Sequence, residues 1–198
     1  MGTVAAGFSM SLDGFIAGPN DDVERLFKWY SMGDTAVKVP SGDREFKLSP
    51  ASAEVVEDAA NTVGALVYGR RTFDIAQAWG GKHPLDVPMV ILTHTVPQEW
   101  VKPGSPFTFV TDGIESAIEQ AKKIAGNKTV AVGSGTTTQQ CLQAGLLDEI
   151  HIDLVPVLLG DGIRLFDHLG AVPIELESTS VIEAPGVTHL TFRVVRHA

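Results

Sequence analysis

Three short stretches of this 198-residue chain place phosphate-binding groups beside glycine or threonine: Gly69-Arg70-Arg71-Thr72, Thr93-His94-Thr95 and Gly133-Ser134-Gly135-Thr136. In the third, an apolar run from Thr129 to Val132 breaks through glycines into a segment that reads as a helix from Thr136 to Gly145. A helix entered in this way gathers unpaired N–H groups and the positive end of its dipole at one point, which suits a phosphate or pyrophosphate. Gly133 and Gly135 allow positive φ and let a ligand approach the backbone closely. Arg70 and Arg71 carry planar guanidinium forks matched to phosphate oxygens. Thr93, His94 and Thr95 offer hydrogen bonds to a ribose phosphate. Each stretch also has a plainer use: the arginines can pair with carboxylates at the surface, and the Thr136-Thr137-Thr138 run can cap a helix.

What joins these stretches is the order of the elements around them. Short apolar strands are expected at Thr3 to Ser11, Gly64 to Tyr68, Val87 to Thr93, Phe107 to Val110, Thr129 to Val132 and Glu149 to Leu158. Helices are expected from Asp21 or Asp22 to Trp29 or Tyr30, from Pro50 to Asn61 with Ser49 as cap, and from Ile114 to Ala125. Residues 31–49 show no steady period and read as an irregular connection. Nearly continuous apolar strands alternating with helices indicate a parallel sheet covered on both faces. Ile174 to Ile182 and Val187 to Val195 alternate polar and apolar residues and pair as a terminal antiparallel hairpin through Ala184-Pro185-Gly186. The expected architecture is therefore a single α/β domain over residues 1–198, with a central mostly parallel sheet, helices on both faces and a C-terminal antiparallel hairpin. In such sheets a ligand lies beyond the carboxyl ends of the strands, where all three stretches fall. One ligand with two separated phosphate groups accounts for all of them, and NADPH is such a ligand.

The composition narrows the function further. A net charge of −9 repels nucleic acid and anionic membranes, and no basic run longer than Arg70-Arg71 offsets it. No apolar run is long enough to span a membrane, and no signal peptide is evident at the start, so a cytoplasmic protein is expected. The single Cys141 falls within a helix and is expected to pack as a small hydrophobe. The six histidines lack metal-ligand spacing. Val132-Gly133-Ser134-Gly135 falls short of a nucleophile elbow, so a Ser-His-Asp hydrolase is not expected.

Several of these motifs also occur together elsewhere. Ser9-Met-Ser-Leu-Asp-Gly-Phe-Ile-Ala17, Tyr68-Gly-Arg-Arg-Thr-Phe73, Val90-Ile-Leu-Thr-His-Thr95, the Gly133-Ser134-Gly135 turn and Leu147 through Gly162 resemble segments of the dihydrofolate reductase-like superfamily. The resemblance is to the group related to the C-terminal reductase domain of the bifunctional riboflavin biosynthesis enzyme, and it covers nearly the whole chain. It implies hydride transfer from NADPH to a C=N or C=O bond of a pterin-like, folate-like or aminouracil-type compound, and it suggests a homodimer. It implies cofactor contacts at Gly69, Arg70, Arg71, Thr72, Thr93, His94, Thr95, Gly133, Ser134, Gly135 and Thr136. Where the riboflavin reductases read Val-Glu-Gly-Gly, this chain reads Val132-Gly133-Ser134-Gly135 and lacks the carboxylate. The resemblance places a proton-donating carboxylate in the region 20–30, where Asp21, Asp22 and Glu24 are all available and Asp22 can equally cap a helix. Asp13 is a second candidate, for substrate contact or for turn formation. The alternative is a protein of the same fold that binds NADP(H) without this turnover.

Overall fold

Six short, mostly apolar strands run parallel in the sheet, with one face covered by helices and the other covered only in part. The computed structural model describes residues 2–42 and 44–196. The parallel strands are β1 (Val4–Ser11), β5 (Val63–Gly69), β6 (Met89–Leu92), β7 (Phe107–Val110), β8 (Thr129–Val132) and β9 (Glu149–Val155). Strands β11 (Leu176–Ala184) and β12 (Val187–Val194) add antiparallel to β9, giving the order β11-β12-β9-β1-β8-β5-β6-β7. The mostly parallel sheet and its terminal hairpin are as the sequence indicates. Two small pairs complete the strands: β2 (Phe15–Ala17) with β10 (Ile163–Arg164), and the hairpin of β3 (Thr35–Lys38) with β4 (Glu45–Leu48).

The two faces of the sheet are covered differently. Helices α3 (Ile114–Ala125) and α4 (Gly135–Gln143) lie on one face, where Val4, Ala6, Val67, Val90, Val132 and Ile150 join Ile118 and Cys141 in one apolar core. Cys141 is buried there as expected, and burial pushes its thiol up to about 12. Over the other face sit α1 (Pro50–Thr62), α2 (Arg70–Ile75) and the β3–β4 hairpin, in two separate apolar clusters around Trp29 and Phe73. Ser49 caps α1 as expected, its hydroxyl accepting the Ser52 N–H at 3.2 Å.

Two expectations need correction. Residues 21–30 form no α-helix but short turns at Pro19–Asp21 and Lys28–Ser31, with Asn20 and Asp21 at positive φ. The Asp22 side chain accepts the Glu24 N–H at 2.9 Å and so closes a local turn that competes with helix. The segment 31–49 is not irregular throughout. Its two four-residue strands bury Val37 and Leu48 on one side only, a pattern too short to read with certainty from period alone.

Candidate functional site

The three phosphate-suited stretches do meet, at the carboxyl ends of β5, β6 and β8, and hydrogen bonds tie them together. The Gly69 N–H donates to Ser134 Oγ at 2.8 Å, and that hydroxyl donates to Thr72 Oγ1 at 2.9 Å. Arg70 donates to the Thr95 carbonyl at 2.9 Å and pairs with Asp74 at 2.8 Å. The Thr93 hydroxyl is turned inward: it donates to the Thr95 carbonyl at 2.9 Å and so shapes its own loop. Arg71 and His94 remain exposed at the mouth, with Arg71 in a surface pair with Asp21 at 2.8 Å.

Ser134 stands at the N-cap of α4, yet its hydroxyl serves the β5 loop, and among the described residues no side chain caps that helix. The first-turn N–H groups of α4 therefore face the mouth unclaimed, beside Gly69 and the threonines. Ser49 shows the contrast, since the same residue type caps α1 in the ordinary way.

The glycines act through space rather than through backbone freedom. Neither Gly133 nor Gly135 uses the positive φ that glycine allows. A Cβ on Gly133 would lie 2.1 Å from Tyr68 Cε1, so the Tyr68 ring occupies the room that a side chain would need. Tyr68 in turn packs at a tilt against Trp79, and its hydroxyl lies 3.3 Å from His83 Nε2. His83 accepts the Leu85 N–H on Nδ1 at 3.1 Å, which leaves Nε2 as the donor to Tyr68. Burial, helped by the Arg44 charge, lowers the His83 pKa to about 4, and burial raises that of Tyr68 to about 12. Both stay neutral across the physiological range.

Behind the mouth lies a cleft of about 2120 Å³. A pocket for one drug-sized ligand takes roughly 300–1,000 Å³, so this one has room for a cofactor and a second molecule. Its floor is the less covered face of β1, β8 and β9, with Ala5, Gly7, Ser9, Ala131, His151 and Asp153 along it. Gly7 is exposed, with open space where a side chain would stand.

Asp13 and Asp22, the two carboxylates singled out in the sequence, both hold local turns. Asp13 accepts from Ser11 Oγ at 2.6 Å, Leu159 N at 3.1 Å and Gly160 N at 2.7 Å. The Ser11 hydroxyl bond, with backbone bonds from Gly160 and Leu159, holds its carboxyl down at about 2. It anchors the loop after β9 to the β1–β2 turn, the turn role that the sequence also allowed. Asp22 is exposed and closes its own turn. Sequence reasoning missed a buried group instead. His189 on β12 places Nδ1 2.7 Å from Asp153 Oδ1 and Nε2 2.9 Å from Ser52 Oγ. Registers Ser9↔Asp153 and Asp153↔His189 put these residues on the cleft face, a relation that no local motif carries.

Residues 2–190 match the RibD C-terminal domain family. The chain belongs to that family, and membership supports reductase chemistry in general. It is 25% identical over 170 residues to the uncharacterized protein YyaP of Bacillus subtilis, spanning 80% of this chain and 77% of that one. Among solved structures, a putative riboflavin biosynthesis protein from a Shewanella species superposes with TM-score 0.73 at 23% identity, over 99% of this chain and 100% of that one. A dihydrofolate reductase from Enterococcus faecalis, complexed with NADP(H), superposes with TM-score 0.57 at 14% identity, over 97% and 96%. At such identities these two show the fold, which is dihydrofolate reductase-like.

Proposed function

We propose, on the premise that the chain is a RibD C-terminal-domain protein, that it is an NADPH-dependent reductase of a pterin-like, folate-like or aminouracil-type heterocycle. The observation that carries this reading is the uncapped N-terminus of α4, left open because Ser134 is held by Gly69 and Thr72. That donor set fits a pyrophosphate, and the exposed Arg71 and His94 fit a ribose phosphate at the other side of the mouth. Bound reduced nicotinamide would supply a hydride to the carbon of a C=N or C=O bond. The protein's share is to hold the dinucleotide with Gly69, Thr72, Gly135 and Thr136, to present the open floor at Gly7 to a flat ring, and to deliver a proton. NADP(H) binding by the Enterococcus relative and the riboflavin-pathway name of the Shewanella relative support the same assignment.

The test has two arms. Thermal-shift titration with NADPH, NADH and FMN reads cofactor choice, and loss of reduced-nicotinamide absorbance reads turnover with dihydrofolate, 7,8-dihydropterin and ribosylated aminouracils. NADPH is expected to bind best. Arg71→Ala is expected to weaken NADPH about tenfold, the 1.4 kcal/mol of one charge-assisted contact, with little effect on NADH. Equal losses for both cofactors would remove Arg71 from the ribose phosphate. Binding without turnover of any heterocycle would leave a cofactor-binding protein and refute the reductase.

A further inference from the structure

Ser52, His189 and Asp153 form a hydrogen-bonded line at the inner side of the cleft, brought together by α1, β12 and β9. The imidazole is fixed on every side. His189 is 4% exposed, Trp29 packs edge-on against its ring at 5.2 Å, and the Trp29 indole N–H donates to Ser9 Oγ at 3.1 Å. The Ser49 hydroxyl donates to Ser52 Oγ at 3.1 Å, so the Ser52 hydrogen points to His189 Nε2. That arrangement leaves the proton of the neutral ring on Nδ1, facing Asp153 Oδ1.

The order of residues is that of a hydrolase relay, but access runs the other way. Ser52 is 2% exposed and shut behind the imidazole, whereas the Asp153 side chain is 24% exposed and lines the cleft. A buried serine cannot attack a substrate; a carboxyl group at the open end can meet one. With Oδ1 taken by His189, Oδ2 has no protein partner among the described residues. The other carboxylates of the cleft are less suited, because Asp21 pairs with Arg71 at 2.8 Å, Glu149 pairs with His151 at 3.0 Å, and Glu54, Glu57 and Asp58 of α1 are exposed to solvent.

We infer that Asp153 is the proton donor of the cleft, acting through Oδ2, and that His189 and Ser52 are positioning residues that fix its orientation. The inference rests on the reductase reading. Bound reduced nicotinamide would supply the hydride to the carbon of the C=N or C=O bond and would itself be oxidised. The π pair of that bond moves to the nitrogen or oxygen, which takes the proton from Oδ2. Asp153 is left as the carboxylate and takes a proton back from water through the mouth. The titratable groups that face Asp153 are His189 from β12 and Tyr30 from the turn at 28–31, with His151 and Glu149 on the same face of β9. Burial, and then the Asp153 charge, hold the Tyr30 phenol above its usual range, so it stays neutral.

The experiment compares wild type, Asp153→Asn, His189→Gln and Ser52→Ala in the full chain, with dihydrofolate and a ribosylated aminouracil as probes. Asp153→Asn should lower kcat about 100-fold or more, the usual share of a general acid. Its remaining rate should rise about tenfold for each unit by which pH is lowered, because solvent then supplies the proton. His189→Gln and Ser52→Ala should lower kcat more than they alter KM. NADPH affinity, read by cofactor fluorescence, should stay the same in all three. The low-field imidazole proton of His189 should disappear from the NMR spectrum of Asp153→Asn. Loss of kcat in Asp153→Asn by one constant factor at every pH, or no loss, overturns the inference while the reductase stands. Wild type that reduces neither probe overturns the reductase reading, and this inference with it.

Discussion

Replacing Gly133 with alanine probes how the cleft is built, because the methyl would enter the Tyr68 ring. The new Cβ would lie 2.1 Å from Cε1, 2.4 Å from Cζ and 2.7 Å from Oη. Non-bonded carbons prefer about 3.5–4.0 Å, so the ring must retreat by more than an ångström. Its surroundings resist. Trp79 stands 4.8 Å away between ring centroids, His83 meets the hydroxyl, and Gln77, Ala78 and Trp79 all hold left-handed backbone. Overpacking of this kind costs about 1–3 kcal/mol. For a domain of this size each kcal/mol is worth about 2–4 °C, so Tm should fall by about 2–12 °C. Backbone freedom works the other way: φ at Gly133 is not left-handed, so alanine there would by itself stabilise by about 0.4–1 kcal/mol. The sign of the measured change therefore separates the two explanations. Differential scanning calorimetry of Gly133→Ala, Tyr68→Ala and the double variant supplies the control. With the ring gone only the backbone effect remains, so adding Gly133→Ala should stabilise by about 0.4–1 kcal/mol, giving a coupling of about 1–3 kcal/mol. An unchanged Tm in the single variant, or the same loss in both backgrounds, would refute the steric argument.

Ser134→Ala strips the Gly69 N–H and the Thr72 hydroxyl of their partner and should destabilise by about 1–3 kcal/mol, with weaker NADPH binding in the same titration. Asp13→Ala should lower Tm at neutral pH by releasing the loop at Leu159 and Gly160. The folded pKa of Asp13 is held at about 2, below its ordinary 3.8, so the contribution is present above pH 3.8 and is lost as pH falls towards 2. The difference in Tm between wild type and Asp13→Ala should shrink over that window, and a gap that persists unchanged would remove the charge from the account.

What the sequence disclosed follows the range of the forces involved. Ile114–Ala125, Phe107–Val110 and Thr129–Val132 were legible to the residue because period and flanking glycines are local. The meeting of the three loops was legible too, since parallel strands must end on one edge of the sheet. The stretch 21–30 misled because its apolar spacing suits a helix, while Asn20, Asp21 and the Asp22 turn decide otherwise. Gly133 was legible as a turn glycine, but not for the room it leaves, which a ring 65 positions earlier fills. Ser52 and His189 lie 137 residues apart and meet only through strand register.

One signal for the cleft was nevertheless written in the strands. A central parallel strand is expected to be apolar on both sides, and β1 and β9 are not. Along β1, Val4, Ala6, Phe8 and Met10 enter or pack on the core beneath α3 and α4, while the alternate positions are Ala5, Gly7, Ser9 and Ser11. Along β9, Ile150, Ile152 and Leu154 face that same core, while the alternate positions Glu149, His151 and Asp153 line the cleft. Small residues on one strand and titratable ones beside them leave a face that no apolar helix would cover without stranding charge. A helix packed over Gly7 would also bury Asp153 Oδ2 unpaired. The face is therefore stable only when left open to water or to a polar ligand, and this is the physical reason that the cleft lies in the middle of the sheet and not at its rim.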